Sequence, residues 1–382
     1  MRIAVIGLRG LPGVIGGIET HCERLYPDLA KLSPDAKLFL IARRRYTPSG
    51  GFDFKGVRVT SLWAPRGMGS EAALHTLFAI LYARIRLNAH LVHLHGIGPA
   101  FFAPLSRLLG MRTIVTHHAA DFARPKWGLV ARAFLMAGEV IAARFADRVI
   151  CVSDALRDEF LERHPNAAAQ TVTIRHGAPR SEHDAAAGER VLAELGLEVG
   201  RYSLAVGRLD ATKRFHDLVE AMERAATDAP PLVIVGSAVE DSNYAKSLLA
   251  KRHPRVIFAG YRNGGELEAL YRSAGLFIQP SEMEGFGLVV LEALIAGSRV
   301  ALSDIPAHRE FALAESAYFA VGDIRHMADV LSGPLGRQGD KVDIATLRTR
   351  YSSDSSAAEH ALLYAQLDGS NAAPTAARSP PC

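Results

Sequence analysis

The sequence predicts an α/β protein built from two doubly wound domains, and its length and its pattern of apolar runs are the observations that predict it. The chain has 382 residues, more than a single hydrophobic core usually organises, so two domains are expected. Short apolar runs alternate with longer stretches of helical periodicity, as in parallel sheets flanked by helices. This alternation occurs twice along the chain, once in each half.

The first series of apolar runs predicts a domain over residues 1–177. Its predicted buried strands are residues 3–7, 38–42, 91–95, 113–117 and 148–153. Its predicted helices, where apolar residues recur at helical spacing, are 17–32, 72–87 and 129–146. These elements follow the strand, helix, strand order of a doubly wound sheet.

A second series follows a loop-like stretch at 176–188 and predicts a domain over residues 178–354. Its predicted strands are 204–207, 232–236, 256–260, 276–280 and 299–303, and its predicted helices are 215–226, 244–251, 266–273 and 286–296. Because parallel-sheet domains bind ligands at the carboxyl ends of their strands, we expect the two crevices to face one central cleft. Residues 368–382, rich in Pro, Ala and Ser, are expected to form a disordered tail.

Composition favours a globular protein of the cytoplasm. Hydrophobic residues make up 49% of the chain and charged residues 22%, a balance typical of globular domains. The cysteines are scattered without a CxxC or Cys/His cluster, so neither a disulfide framework nor a zinc site is predicted. The N-terminal apolar run is too short for a signal peptide, and charged residues interrupt the longest apolar stretch, so no membrane span is predicted.

Charge is divided unequally between the two halves. Residues 1–180 contain 24 Lys and Arg against 13 Asp and Glu, whereas the rest contain 20 against 27. A basic half suits an anionic membrane surface or a phosphate-bearing acceptor. We therefore expect weak peripheral contact with the inner face of the plasma membrane and no nucleic-acid partner; an ordinary solvated surface is the alternative.

The segment 280–297 places a glycine-containing turn between a strand and a helix. Amides at a helix N-terminus favour an anion such as a diphosphate, and the residues that offer them are Gly285, Phe286, Gly287 and Leu288. Two carboxylates, Glu284 and Glu292, can reach the same ligand. Because a diphosphate would repel them, we assign Glu284 to the hydroxyls of a sugar and Glu292 to a ribose. The alternative for Glu292 is a solvated helix residue.

A cationic pair follows the first strand of the second domain. Arg208 and Lys213 precede a predicted helix, and two cations suit the charge of a departing diphosphate. Lys and Arg are common on solvated faces. The pair therefore indicates a ligand site only in combination with the glutamate segment. Together the two segments predict a nucleotide-diphospho-sugar donor.

The turn after the first strand contains Gly16 and Gly17, whose amides could face phosphate or sugar. It lacks the G-x-G-x-x-G spacing, and the second strand ends in Arg43, Arg44 and Arg45 instead of the acidic residue that binds a nicotinamide ribose. A dehydrogenase is therefore disfavoured.

A run of polar residues follows the strand at 113–117 and is expected to face the cleft. These residues are His117, His118, Asp121, Arg124, Lys126 and Trp127. His118 could bond a sugar hydroxyl or the reacting phosphate, and the charged residues could orient an acceptor. His93 and His95 alternate on the preceding strand, so they share one face and are interpreted as structural or supporting residues.

Neither a metal nor another cofactor is expected. The sequence contains no Asp-x-Asp, and its His, Asp and Glu residues show no metal-ligand spacing. The protein itself must then neutralise the leaving group.

These motifs resemble glycosyltransferase family 4, whose members are retaining enzymes of the GT-B fold, over nearly all of residues 1–365. The family's E-G-F-G-x-x-x-x-E donor signature is matched from Glu284 to Glu292, and its G-R-L…K pattern begins at Gly207. The resemblance implies two Rossmann-like domains facing a central cleft, and a C-terminal helix at 355–367 that packs back on the first domain. The implied catalytic residues are His118, Arg208, Lys213 and Glu284.

The first half resembles the subgroup of bacterial capsule and exopolysaccharide rhamnosyltransferases, through RGLPGVIGGIET, HGIGPA and HHAADFARPKWG. This implies a dTDP-rhamnose donor and a saccharide acceptor linked to polyprenyl diphosphate. The implied acceptor-binding residues are Glu19, Asp121, Arg124 and Lys126. The family's H-G-x-D appears here as H-A-A-D, with Ala119 in place of Gly.

Retention without an evident nucleophile implies transfer on one face of the sugar, with the leaving diphosphate accepting the proton of the acceptor. Two alternatives remain open at this point. One is a nucleotide-sugar epimerase of the same fold, which would need no acceptor. The other is a nucleotide-sugar-binding subunit without catalytic activity.

Overall fold

The computed structural model describes residues 1–48, 50–65, 67, 70–124, 127–180, 184–238, 242–251, 253–333, 335 and 343–368. The chain divides into two compact units. Unit 1 comprises Met1–Gly177 and the chain from Tyr351 onward, and unit 2 comprises Ala178–Arg350. Of the predicted tail at 368–382, only Asp368 lies within the described residues, where it ends a helix.

Unit 1 is built on a sheet that has eight strands among the described residues, in the order β3-β4-β2-β1-β5-β6-β7-β8. The strands are β1 (Arg2–Ile6), β2 (Lys37–Arg43), β3 (Gly51–Phe54), β4 (Val57–Leu62), β5 (Leu91–His95), β6 (Arg112–His117), β7 (Arg148–Cys151) and β8 (Thr171–Thr173). Only the β3–β4 pair is antiparallel. The helices that precede unit 2 are α1 (Gly17–Leu32), α2 (Ser70–Ile85), α3 (Ile97–Ala100), α4 (Ala103–Leu108), α5 (Leu129–Phe145) and α6 (Asp154–Arg163).

Burial on both faces explains why the strands of unit 1 are continuous apolar runs. Successive side chains of a strand point to opposite faces. On β1, Ile3 and Val5 join the core beneath α1, whereas Ala4 and Ile6 join a second core beneath α2 and α5. The five strands predicted in this half are confirmed as buried parallel strands, with their ends shifted by at most two residues.

The β3–β4 hairpin is absent from the predicted elements. Its turn contains Lys55 and Gly56, whose φ values of 51° and 88° are those of a tight hairpin turn. Because β4 is half-exposed, apolar and polar residues alternate along it and no apolar run marks it. β3 and β4 therefore add two strands to the sheet that a search for apolar runs does not detect.

Unit 2 is built on a parallel sheet that has six strands among the described residues, in the order β11-β10-β9-β12-β13-β14. The strands are β9 (Ser203–Val206), β10 (Leu232–Val235), β11 (Val256–Gly260), β12 (Leu276–Gln279), β13 (Val300–Ser303) and β14 (Tyr318–Phe319). The helices are α7 (Ala185–Leu195), α8 (Phe215–Arg224), α9 (Asn243–Ala250), α10 (Gly264–Ser273), α11 (Leu288–Ile295), α12 (Pro306–Arg309), α13 (Ile324–Ser332) and α14 (Ile344–Arg350). The prediction of two Rossmann-like α/β domains is confirmed.

The predicted loop at 176–188 is wrong in its last residues. Helix α7 begins at Ala185, where the Asp184 carboxylate accepts a hydrogen bond from the Ala187 amide at 2.9 Å. An Asp at this position satisfies an amide that the first helical turn leaves unpaired. The short Ala-rich start of the helix has no apolar stripe that would distinguish it from a loop.

Both sheets have a topological switch point. In unit 1 the chain proceeds from β1 outward through β2 and then returns to β5 on the other side of β1. In unit 2 it proceeds from β9 through β10 to β11 and then returns to β12 on the other side of β9. The loops that follow β9 and β12 therefore begin side by side, in the position where doubly wound domains bind ligands.

The last helix, α15 (Ser353–Asp368), belongs to unit 1. Ala357, Leu363 and Tyr364 are buried in the same core as α1. The Ser356 hydroxyl donates to the Arg175 carbonyl oxygen at 2.8 Å. Helix α15 thus completes the core of the first unit, where the sequence predicts a returning helix at 355–367.

Six histidines come together inside unit 1, between the sheet, α1 and α15. They are His21, His93, His95, His118, His176 and His360, and neighbouring ring centroids lie 4.2–6.1 Å apart. Burial lowers the pKa of each ring, to about 4 for His360 and about 3 for His176. At neutral pH the cluster is therefore uncharged.

The histidine cluster predicts that the stability of unit 1 decreases as the pH falls from 6.5 towards 4. In the unfolded chain these rings take up a proton near pH 6.5, whereas the buried rings do not until the pH is far lower. Each ring then contributes a loss of up to about 1.4 kcal/mol per pH unit, and stability is greatest above pH 6.5. Urea unfolding at several pH values measures this slope.

His360→Gln removes one such ring and should reduce the slope between pH 6.5 and 5 by about 1 kcal/mol per pH unit. The matched control is His90→Gln, because His90 is exposed in the same unit. Equal slopes in the His360→Gln variant and the wild type would contradict the prediction.

Candidate functional site

The loops after β9 and β12 are joined at the switch point of unit 2. The Glu282 amide donates to the Thr212 carbonyl oxygen at 2.9 Å. The Asp210 carboxylate accepts from the Thr212 amide at 3.0 Å and from its hydroxyl at 2.8 Å. These bonds fix the turn that precedes α8 and place Lys213 against the β12 loop.

Lys213 and Glu284 form an ion pair at this junction. The Ser281 hydroxyl donates to the same carboxylate oxygen, Glu284 Oε1, at 2.8 Å, and Gln279 Nε2 donates to Ser281 Oγ at 2.9 Å. The side chains of Lys213 and Glu284 are only 13% and 11% exposed. The sequence assigns these residues to different groups of one ligand, and the structure brings them into direct contact.

The Glu284 carboxylate is held in its ionised form. Burial alone would raise its pKa, but Lys213, His308 and the Ser281 hydroxyl together keep that pKa below its ordinary value. A partly buried charge needs such compensation, because desolvation otherwise favours the neutral acid. At neutral pH Glu284 is therefore an acceptor, suited to sugar hydroxyls.

His308, on α12, is a residue of this site that sequence reasoning missed. Its Nδ1 lies 2.8 Å from the Ser303 carbonyl oxygen, so it carries the hydrogen. Its Nε2 is buried and has no hydrogen-bond partner among the described residues. A Cβ at Gly287 would lie 3.6 Å from the His308 ring. The available signal was its position, since His308 follows the carboxyl end of a predicted strand as the other site residues do.

The glycine-containing turn differs from the predicted one in where its helix begins. Helix α11 begins at Leu288, with Gly287 as its N-cap at φ 87°, so the predicted start at residue 286 is wrong. The amides of Gly285 and Phe286 therefore precede the helix, and that of Leu288 lies in its first turn. Phe286 has its ring buried against Phe311, at 5.5 Å between centroids.

Glu292 lies one turn inside α11 and is half-buried. The Tyr271 hydroxyl on α10 donates to Glu292 Oε2 at 3.1 Å. Glu292 is therefore not the freely solvated helix residue of the alternative reading, and its contact with a ribose stays a prediction. Tyr271 is a supporting residue that no motif in the sequence indicated.

Close backbone approach explains the glycines after β9 and β10. A Cβ at Gly236 would overlap the Gly207 carbonyl oxygen. A Cβ at Gly207 would lie 3.3 Å from the Phe215 ring and in ordinary contact with the Lys213 side chain, at 3.7 Å. The aliphatic part of Lys213 thus lies over Gly207 on its way to Glu284. Arg208, the next residue, is half-buried.

In unit 1, His118 follows β6 and contacts the histidine cluster. Its Nε2 lies 3.0 Å from His95 Nδ1, and its ring stacks on His95 and His176 at 5.3 and 5.6 Å between centroids. His118 is half-exposed, whereas His93 and His95 are fully buried. His93 and His95 share one face of β5, as their alternation predicts.

The predicted exposure of His117 is wrong. It is the last residue of β6, fully buried, and its Nε2 lies 2.9 Å from Glu139 Oε2 on α5. Adjacent residues of an extended chain point to opposite faces, which separates His117 from His118. Burial alone would raise the pKa of Glu139, but His117 and Arg163 lower it to about 2.

The remaining site residues of unit 1 lie at two places. Gly16 is the N-cap of α1 and Gly17 its first residue, so both lie at a helix N-terminus. Glu19 is buried in the first turn of the same helix, where it accepts from the Arg9 amide at 3.0 Å and from Arg9 Nε at 3.1 Å. Glu19 therefore fixes the loop that precedes α1, and its acceptor-binding role stays a prediction.

Asp121 and Arg124 lie in the turn after His118 and form an ion pair at 2.6 Å. Lys126, the other residue predicted on the acceptor side, lies outside the described residues. Ala119 and Ala120 between His118 and Asp121 are buried. The ion pair stabilises this turn, and its geometry does not test acceptor binding.

Two classes of feature are missing from the part of the chain that the structure describes. No group of three or more His, Cys, Asp and Glu side chains there is placed to hold a metal ion. No helix there has both the length and the apolar character needed to cross a bilayer.

Two family models match the chain: a glycosyl transferase 4-like domain over residues 16–177 and a glycosyl transferases group 1 domain over residues 193–331. Among curated proteins, α-maltose-1-phosphate synthase of Mycobacterium tuberculosis is 28% identical over 325 residues, covering 80% of each chain. An uncharacterized glycosyltransferase of Methanocaldococcus jannaschii is 25% identical over 323 residues, covering 80% of this chain and 81% of that protein.

Solved structures share the fold over nearly the whole chain. Sucrose-phosphate synthase from Thermosynechococcus elongatus matches with a TM-score of 0.76 at 20% identity, covering 97% of this chain and 100% of that one. Anabaena HepE in complex with UDP and glucose matches with a TM-score of 0.73 at 18% identity, covering 96% and 100%. The two matched domains together span most of the chain, and they identify it as a glycosyltransferase with group 1 and family 4-like domains, of the GT-B type.

Proposed function

We propose that this protein transfers a hexosyl group from a nucleotide-diphospho-sugar to a saccharide acceptor, with retention of configuration and without a metal ion. The observation that carries the proposal is the Lys213–Glu284 pair at the switch point of unit 2. It combines a cation for the leaving diphosphate with a carboxylate for the hydroxyls of the sugar. An epimerase would share the donor but would need no acceptor.

Lys213 contacts both the diphosphate of the donor and the carboxylate that binds its sugar. Its ammonium group has three hydrogens, so it can bond Glu284 and a diphosphate oxygen at the same time. Donor binding then adds a second anion beside Lys213 while Glu284 keeps an oxygen for a sugar hydroxyl. Arg208 and the amides of Phe286, Gly287 and Leu288 complete the positive surroundings of the diphosphate.

Transfer on one face of the sugar requires that charge be stabilised as the donor bond breaks. The bond between the sugar C1 and the diphosphate oxygen breaks, the acceptor oxygen bonds C1 on the same face, and the acceptor proton passes to the diphosphate. Fixed cations and amides stabilise the departing charge without reorganisation during the reaction. In unit 1, His118 contacts the ligand, and the amides of Gly16 and Gly17 offer a further anion-binding helix N-terminus.

The proposed donor is dTDP-rhamnose, and the proposed acceptor is a saccharide on polyprenyl diphosphate in capsule or exopolysaccharide synthesis. Support comes from the motifs of the first half, RGLPGVIGGIET and HHAADFARPKWG. A lipid-linked acceptor would place the reaction at the cytoplasmic face of the membrane. The exposed side chains of α5 suit that location.

Lys213→Ala should reduce the rate of glycosyl transfer by about 10²-fold or more, the usual cost of removing one charge-stabilising donor. Because the variant also leaves Glu284 without its partner, unfolding should be followed in parallel. Transfer from labelled nucleotide sugar to an acceptor extract measures the rate.

The matched control is Lys251→Ala, since Lys251 is an exposed lysine of the same unit. It should transfer at the wild-type rate. If folded Lys213→Ala also did so, the assignment of Lys213 to the leaving group would be wrong.

A thermal-shift panel of dTDP-rhamnose, UDP-glucose and a GDP sugar should show the largest stabilisation with dTDP-rhamnose. A ligand at 100 times its Kd stabilises by about 2.7 kcal/mol, which is readily measured. A larger shift with UDP-glucose would contradict the rhamnosyl assignment while leaving the transferase intact. Incubation with the stabilising donor alone is the control. An epimerised nucleotide sugar as the product would show that the protein is an epimerase and not a transferase.

Helix α5 presents the surface that we assign to membrane contact. Leu129 and Val130, at its start, are each 86% exposed, and Met136 and Val140 continue the exposed apolar side. Arg132 and Arg144 are exposed on the same helix, and the half of the chain that contains it is basic. Exposed apolar residues flanked by cations suit an anionic lipid surface.

The double variant Leu129→Glu/Val130→Glu should float with anionic vesicles less than the wild type does at low salt. Two carboxylates replace apolar contacts and oppose the negative surface, and the attraction is strongest where screening is weakest. Vesicle flotation at two salt concentrations measures the bound fraction. Val199→Glu, at an exposed apolar residue of unit 2, is the control, and equal flotation of all three proteins would contradict the assignment.

A further inference from the structure

A continuous chain of hydrogen-bonding groups leads from the C-terminal helix of unit 1 to His118. Tyr364 Oη on α15 lies 2.7 Å from His93 Nδ1. Tyr26 Oη on α1 lies 3.1 Å from the same nitrogen and 2.6 Å from His95 Nε2. His95 Nδ1 lies 3.0 Å from His118 Nε2. Every member except His118 is buried.

The number of hydrogens available limits the direction of these bonds, and the shorter contacts are used to assign it. A phenol has one hydrogen, and each nitrogen of a neutral imidazole either donates or accepts. His93 Nδ1 is closer to Tyr364 than to Tyr26, so the contact with Tyr364 uses it. His95 Nε2 is a shorter contact of Tyr26 than His93 Nδ1 is, so we assign the single hydrogen of Tyr26 to His95 Nε2.

The tautomers of the next two rings follow from that bond. His95 accepts at Nε2 and, being neutral, carries its hydrogen on Nδ1, which donates to His118 Nε2. His118 therefore accepts at Nε2 and carries its own hydrogen on Nδ1. Burial lowers the pKa of both rings, which keeps them neutral at physiological pH. The nitrogen of His118 that the chain does not use is thus an N–H donor.

We propose that Tyr26 is a positioning residue that holds His118 as its Nδ1–H tautomer, so that His118 donates a hydrogen bond to an oxygen of the bound sugar or phosphate. The identity of that ligand rests on the proposed function, whereas the tautomer is a property of the protein alone. His118 in this state is a neutral donor and not a general base. Tyr364 on α15 is the first member of this chain of hydrogen bonds, so the C-terminal helix takes part in fixing the tautomer.

The tautomer can be read directly by NMR. Full-length protein with ¹⁵N-labelled histidine gives long-range ¹H–¹⁵N correlations, and the His118 signals are those lost in His118→Gln. We expect the Nδ1–H pattern in the wild type and a mixture or the Nε2–H pattern in Tyr26→Phe, because His95 Nε2 then lacks its donor. Tyr82→Phe, a half-buried tyrosine of the same unit outside the chain of contacts, should retain the wild-type pattern. An Nε2–H pattern in the wild type, or no change in Tyr26→Phe, would overturn the proposal.

Kinetics separate positioning from packing. Tyr26→Phe should lower kcat about tenfold with little change in KM, the loss expected for one misdirected hydrogen bond, and should have no further effect in the His118→Gln background. An equal loss in both backgrounds would show that Tyr26 acts through packing and would overturn the proposal. Full activity of His118→Gln, with the tautomers as stated, would instead contradict the proposed contact of His118 with the ligand, so the two failures are distinguishable.

Discussion

The Lys213–Glu284 ion pair is the interaction on which the candidate donor site depends. Two partly buried charges are costly unless each compensates the other. The loop bond between Glu282 and Thr212, the Asp210 cap and the Ser281 hydroxyl all hold the two side chains in register. Lys213 passes over Gly207 to reach Glu284, and a Cβ at Gly207 would lie within contact distance of its aliphatic carbons.

The sequence predicts the architecture well because its strands are buried on both faces and are therefore continuous apolar runs. The same reasoning fails where a strand is half-exposed, as in β4, or where a helix begins without an apolar stripe, as in α7. It also places the start of α11 two residues early, because Gly287 adopts a left-handed N-cap conformation that spacing alone does not reveal. Boundaries depend on such local geometry, whereas the order of elements depends on burial.

Candidate site residues can be proposed from the sequence where they belong to a spaced motif after a strand, as Glu284, Lys213 and His118 do. The residues that contact them cannot be predicted in this way. Tyr271 on α10 contacts Glu292, and Tyr26 on α1 reaches His118 through His95. Only the folded chain brings these residues together. His117 shows the opposite error, since a polar residue beside a predicted ligand contact is buried against Glu139 on the other face of the sheet.

The two units also differ in the charge of their candidate site residues, and the difference bears on the proposed mechanism. Unit 2 presents the Lys213–Glu284 ion pair at its switch point, where Lys213 helps to keep the pKa of Glu284 below its ordinary value. Unit 1 presents a histidine cluster from which burial removes charge, so that His118 can add a directed hydrogen bond without adding a cation. In the mechanism that we propose, Arg208, Lys213 and helix amides stabilise the departing diphosphate. No titrating base is needed in that mechanism, because the leaving diphosphate accepts the proton of the acceptor.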